Sequence, residues 1–325
     1  MFSQDLEDLQ KSMGKFSDSM AKALPFNSSI GLNWSDAYIG QLLAFPPHFG
    51  IGVTAGLTTL DAVSVNSLLN LFGTSMPFSD VDFLKSIGLP LPAYTVDLRL
   101  GGIKLPFDIG IKASYIPENL IGNMIDSFDF GLNYLLVGAD FRYSFTSKRK
   151  ILPFRVSAGI GVNYMEGGVN TTLPADSFNF TFSGSDNNKY TIIPDEAKIG
   201  LEWKTINAEI KAHISFPFKF VTPYAGAGVS YAMSEAGFKL ISDLTVKDSS
   251  NNDKEISEVE DDLKGYGLSG ISNKGFGSTK KIDGINTRVY GGASLNLFVV
   301  RLDLTAMYEI LGGNLGATVG FRFQL

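Results

Sequence analysis

From His48 to its last residue this chain repeats one pattern that leaves few folds open: runs of about eleven residues in which every second side chain is apolar. In the last run Leu315, Ala317, Val319, Phe321, Phe323 and Leu325 alternate with Gly316, Thr318, Gly320, Arg322 and Gln324. A period of two sends successive side chains to opposite faces of a strand, so each run has one apolar and one polar face. The same rule holds for 49–57, 94–100, 107–115, 135–145, 154–164, 206–216, 225–231, 289–297 and 300–310.

A soluble sandwich also alternates, but its strands average about 5–6 residues. Runs of about 11 match the 9–11 residues that a tilted strand needs to cross a bilayer. Their apolar faces carry Phe or Tyr at the ends, where rings sit at the lipid boundaries. No run of some 18 apolar residues is present, which excludes a spanning helix but not a spanning strand. The expected fold is therefore all-β: an antiparallel transmembrane β-barrel of about ten strands with an N-terminal amphipathic helix. Ala197, Ile199, Leu201 and Trp203 run out of phase with Ile206 onward, which predicts a β-bulge or an extra turn near Lys204; an extra turn would raise the count to twelve, within an alternative range of 12–14 strands.

Connections alternate in length. Those at 105–106, 147–152, 217–221 and 297–299 are short, whereas 59–92, 117–131, 166–195 and 235–285 are long, with 311–314 as an exception. Short periplasmic turns and long external loops give this asymmetry, and it predicts both chain ends in the periplasm.

Residues 1–47 read as a separate plug or hatch segment before a barrel at 48–325. Within 2–24, Phe2, Leu6, Leu9, Met13, Phe16, Met20 and Leu24 recur at three- and four-residue steps, and Asp5, Glu7, Asp8, Lys11 and Asp18 occupy the other face. Pro25 is expected to end the helix, and 27–47 is strand-like only in Ile30, Leu32 and Trp34. The start lacks a basic stretch followed by an apolar core, so any secretory signal is expected to have been removed.

If the apolar faces meet lipid, the polar faces line the lumen. They carry Asp97, Arg99, Asp108, Lys112, Asp140, Arg142, Arg155, Glu209, Lys211, Arg301, Asp303 and Arg322, most of them near the short turns. Charges in a low-dielectric interior have to be paired, so a salt-bridge network that closes the lumen is expected. A sharper expectation is that the basic members hold Asp5, Glu7, Asp8 and Asp18 of the helix as a plug. Gly50, Gly110, Gly138, Gly226 and other inward glycines either make room for an inserted segment or relieve strain in a coiled sheet.

Composition removes other classes. With 27 basic against 33 acidic residues there is no basic face for nucleic acid. Zero Cys and two His leave no thiolate site and little zinc chemistry, and no cofactor is expected. His48 and His213 fall low in the barrel, away from any Ser or carboxylate at the outer rim, which argues against an enzyme. The acidic run Glu258, Glu260, Asp261 and Asp262 lacks the spacing of a calcium loop and reads as a solvated helical face.

The terminal run, with Phe321 and Phe323 at alternate positions, resembles the C-terminal signal by which the barrel-assembly machinery recognises outer-membrane proteins, although Leu325 stands where Phe or Trp is usual. A helix ahead of strand one resembles the hatch of the long-chain fatty-acid transporters, usually fourteen-stranded barrels of the outer membrane. The resemblance implies an outer-membrane channel or transporter for small, including hydrophobic, molecules, gated or plugged by the N-terminal segment, with the lipid bilayer, the assembly machinery and a small hydrophobic ligand as partners. The alternative is a closed structural barrel or surface adhesin that presents the 59–92 and 235–285 loops.

Overall fold

In a computed structural model the described residues are 2–40, 48–60, 90–116, 130–146, 152–173, 178–195 and 197–325. The expected loops at 59–92 and 117–131 lie largely outside them. The chain forms β1 (Phe2–Asp5), α1 (Leu6–Asn27), β2 (Phe49–Thr59), β3 (Pro90–Gly101), β4 (Phe107–Ile116), β5 (Phe130–Ser144) and β6 (Arg155–Leu173). β7 (Phe178–Ser183), β8 (Lys189–Pro194), β9 (Ala197–Ser215), β10 (Val221–Ile241), β11 (Leu244–Asp248) and β12 (Asp253–Lys254) follow. Last come α2 (Glu260–Gly265), β13 (Ser269–Ser272), β14 (Gly275–Leu297), β15 (Val300–Glu309) and β16 (Leu315–Gln324).

Ten of these strands close into an antiparallel barrel in the order β2-β3-β4-β5-β6-β9-β10-β14-β15-β16, with β16 pairing back onto β2. Closure leaves no backbone edge in lipid, which is the condition for a sheet to cross a membrane. The alternation falls as the sequence predicts: Ile210 is 68% and Leu304 61% exposed on the outside, while Asp97, Arg99 and Asp108 inside are 0% exposed. Near the short turns, Phe107 stacks on Phe141 and Phe154 meets Phe216 in a girdle of rings. This architecture makes the chain an outer-membrane type of β-barrel. Ten strands set it apart from the fourteen of the fatty-acid transporters.

The wall is uneven. β6, β9, β10 and β14 have 19, 19, 21 and 23 residues, against 10 to 12 in β2, β3, β4, β15 and β16. About ten extra residues at ~3.3 Å each raise that side by ~30 Å. The bilayer edge is marked on the tall strands where the outer face turns charged at one register. Glu166, Lys204, Glu235 and Lys281 stand opposite one another on β6, β9, β10 and β14. The Tyr164 hydroxyl donates to Glu166, and Lys204 lies 5.6 Å from the Tyr164 ring centroid. Alternating signs at adjacent positions make this ladder self-neutralising.

The predicted bulge near Lys204 is absent. β9 stays in one register with β6 from Arg155↔Ser215 to Leu173↔Ala197, and with β10 over its whole pairing. Ile199, Leu201 and Trp203 therefore face inward, against a core of Tyr134, Leu136, Met165, Phe238, Leu240 and Phe276. The change of phase in the sequence is a change in what the lumen contains. Above the charge layer the interior is apolar because α1 lies there, packed on β9, β10 and β14.

Three further expectations are corrected at the N-terminus. Residues 2–5 are not helical but form β1, a parallel partner of β7 at the edge of a second sheet, β1-β7-β8-β11-β12. That sheet buries Phe180, Phe182, Ile192 and Val246 together with Val259 and Leu263, and it stands at the long-loop end. The N-terminal end of the chain thus lies outside and only the C-terminal end near the short turns, where the Leu325 amide donates to the Phe49 carbonyl. Pro25 does not stop α1 either. The last turn runs on to Asn27, and the Ser28 amide donates to the Leu24 carbonyl at 2.8 Å.

Candidate functional site in the barrel lumen

Below α1, residues 28–40 cross the lumen without regular secondary structure and reach the short turns at Gly40. The wall holds this segment chiefly through main-chain groups. Lys112 Nζ donates to the Ser28 and Ile30 carbonyls at 2.7 and 2.5 Å, and Arg99 to the Leu32 carbonyl at 3.3 Å. Arg142 donates to the Asp36 carbonyl, and His213 Nε2 lies 3.1 Å from the Ser35 carbonyl. In the other direction, the amides of Leu32, Ala37 and Ile39 donate to Asp97, Ser215 and Asp108. A segment with no helix or ladder of its own has to satisfy its backbone this way, because a buried unpaired amide or carbonyl costs about 1–3 kcal/mol.

Behind the segment the wall charges neutralise one another. Arg99 grips Asp140 with 2.8 and 2.9 Å bonds and Asp108 at 2.5 Å, while Arg142 holds Asp108 and Lys211 holds Asp140. Arg288 chelates Glu209 at 2.7 and 3.1 Å and also reaches Asn33 Oδ1. Arg322 bonds Asp303, Asp36 and the Ser35 hydroxyl. The Trp34 ring lies between two guanidinium groups, 5.6 Å from Arg99 and 4.7 Å from Arg322. Buried cation–π contacts of this kind contribute on the order of 2 kcal/mol.

Of the lumen residues read from the sequence, Asp97, Arg99, Asp108, Lys112, Asp140, Arg142, Glu209, Lys211, Asp303 and Arg322 are buried together here. Arg155 is exposed and Arg301 half-buried. Both face inward at the short-turn mouth. Of the acidic residues expected to be gripped on the helix, the side chains of Asp5 and Asp8 lie outside the described residues, and Asp18 is not held by the lumen. Asp18 pairs with Lys22 on the surface of α1 itself, and further along the segment Asp36 meets the lumen arginine Arg322. Met13, Phe16 and Met20 are buried in the apolar upper core, while the side chains of Phe2, Asp5, Leu6, Asp8 and Leu9 fall outside the described residues. Arg288, Asp36 and Trp34 were missed. Arg288 shares the inward face with Tyr290 and was legible from parity, but nothing local marks Asp36 as buried.

The inward glycines divide by what they face. A Cβ at Gly50 would meet the Trp34 ring at 2.6 Å, so this glycine makes room for the segment, while one at Gly110 would meet Asp140 at 2.5 Å and Arg99 at 2.7 Å in the wall before Leu32 at 2.8 Å. Gly52 and Gly138 instead clear space for Arg322 and Lys112. Gly50→Val is expected to drive Trp34 out from between its two arginines. With the second tryptophan removed as Trp203→Phe, emission should shift to the red; an unshifted spectrum would show that the ring does not depend on this clearance.

His213 completes the floor. Its Nδ1 lies 3.2 Å from the Tyr290 hydroxyl, and its ring stacks on Tyr224 with centroids 5.5 Å apart. The Ser35 carbonyl can only accept, so Nε2 donates to it, and Nδ1 is the ring nitrogen that faces the Tyr290 hydroxyl.

The sequence matches the family model described as Lsa36-like over residues 14–325. The chain belongs to the Lsa36-like family. The match takes in most of α1, the lumen segment and the whole barrel. No curated protein matches. Among solved structures, the Lsa36-like chain is similar to the outer membrane protease OmpT from Escherichia coli, with 8% identity over 86% of this chain and 97% of that one and a TM-score of 0.39. It is also similar to the translocator domain of the autotransporter NalP from Neisseria meningitidis, at 9% identity, 98% of each chain and a TM-score of 0.36. Likenesses this distant carry nothing about what the Lsa36-like chain does.

Proposed function

We propose that this protein is a closed outer-membrane barrel whose N-terminal segment is a permanent filling, and that its working surface is the external sheet carried on the tall wall. The observation behind this reading is the unbroken burial of residues 23–39 against a layer of wall charges, most of them ion-paired in place. The segment is also anchored at both ends. Below, Gly40 packs against Gly101 and His48 beside the first barrel strand; above, β1 is a strand of the external sheet. Withdrawing it in either direction would unmake structure, so gating by removal has less support than closure. A small hydrophobic cargo has less still, because at membrane depth the wall is lined with charge.

The external sheet offers an outer face where Thr181, Thr191 and Lys247 lie in one row across β7, β8 and β11. Its opposite face is sealed on the aromatic core, so this polar face is the one presented to solvent and to macromolecules outside the cell. Two measurements test the reading together. The full-length protein in planar bilayers should give no steady conductance, and an epitope placed in the turn at Ser250–Asn251 should be reached by antibody on intact cells. Stable channels from the full-length chain would overturn closure, and a tag reached only after lysis would overturn display.

A further inference from the structure

Asp97 and Lys112 are directly opposite across β3 and β4, both inward, both buried. Opposite charges at such positions have Cβ atoms ~5 Å apart and normally bond. Here they do not: among the described residues no carboxylate lies within ion-pair distance of Lys112, whose ammonium is turned onto the Ser28 and Ile30 carbonyls. Asp97 uses one oxygen, Oδ2, for the Leu32 amide, the Trp34 indole and the Thr54 hydroxyl, while its buried Oδ1 has no hydrogen-bond partner. Gly31 stands between the two side chains in the left-handed region, with φ +85. A Cβ on it would fall 2.4 Å from Thr95 Oγ1, 2.9 Å from Asp97 Oδ1 and 3.0 Å from Lys112 Cδ. The segment is a wedge at this point, and only glycine is thin enough to serve.

We propose that Asp97 and Lys112 form a direct ion pair in the wall before the segment docks, and exchange it for the segment's main chain when Gly31 enters between them. The pair keeps the β3–β4 wall satisfied in the open sheet, before it closes over the segment. Each member then offers the backbone the right sign, the cation to carbonyls and the carboxylate to amides. This rests on the segment being a filling of the lumen and adds how the wall recognises it.

The test is a charge exchange in the full-length protein. Asp97→Lys alone and Lys112→Asp alone put like charges opposite each other and should lower the unfolding midpoint by several degrees. The double exchange D97K/K112D restores a wall pair, so its midpoint should recover relative to both single variants. It also presents an ammonium to the Leu32 and Trp34 N–H groups and a carboxylate to the Ser28 and Ile30 carbonyls. The segment should therefore fail to dock, seen as new conductance in bilayers and as protease cleavage within 28–40. A double variant no more stable than the weaker single one would refute the wall pair. A double variant that stays silent and resistant would refute the exchange. Should the single variants not fold, refolding yield reads the same rescue. Conductance of the wild type tests closure alone, so the two ideas can fail separately.

Discussion

Deleting residues 2–40 is expected to turn a silent barrel into a conducting one, while deleting only 2–24 is expected to leave it silent. The difference follows from where the lumen is blocked. α1 fills the upper, apolar part, where β9, β10 and β14 rise beyond the bilayer, whereas the passage at membrane depth is occupied by residues 28–40 with Trp34 at its centre. The shorter deletion leaves Ser28, Leu32, Asp36 and Ile39 on their wall partners. The longer one removes them all and exposes a ring of wall charges to water. Planar-bilayer recordings of the two proteins decide the matter. Conductance from both would place the block in the helix, and silence from both would mean that the wall alone closes the lumen.

Arg99→Met is expected to cost the barrel a large share of its stability. Arg99 is fully buried, joins Asp108 to Asp140 across three adjacent strands, reaches the Leu32 carbonyl and lies over Trp34. Removing one partner from a buried ionic cluster costs about 3–5 kcal/mol, since it leaves charge uncompensated. Native proteins hold only about 5–15 kcal/mol in all. The remaining pairs, Arg142 with Asp108 and Lys211 with Asp140, neutralise part of the deficit. Unfolding in detergent followed by gel migration should show a large drop in the midpoint. Adding Asp140→Asn should restore part of it, because the carboxylate left short of a partner is then gone. A midpoint close to wild type would mean that the cluster is not a keystone of the wall.

The barrel itself was legible because its cause is local. A strand that separates lipid from lumen must alternate, and Phe107 to Tyr115 or Leu315 to Leu325 show that without reference to any other residue. The inward charges could be named for the same reason. What could not be read depends on contacts between distant residues. Ile199, Leu201 and Trp203 looked like a slipped register, since an apolar inner face makes sense only if something apolar fills the barrel. Asp18 and Asp36 are both acidic residues of the N-terminal segment, yet one pairs on the helix surface and the other meets Arg322 in the lumen. Threading, which no period encodes, separates them. The position of Phe2–Asp5 beside β7 is of the same kind, as a strand partner some 176 residues away leaves no local trace.

That threading also fixes an order of events. A helix with its side chains is about 10–12 Å across, and the finished lumen is crossed by paired side chains, so α1 cannot be passed through a completed barrel. The leading residues must already be laid out when the sheet curls, and the seam between the first and last barrel strands, β2 with β16, is drawn shut over them. The wall is wound onto its contents as a cask is raised around a core, and β16, which pairs back onto β2, is the final stave.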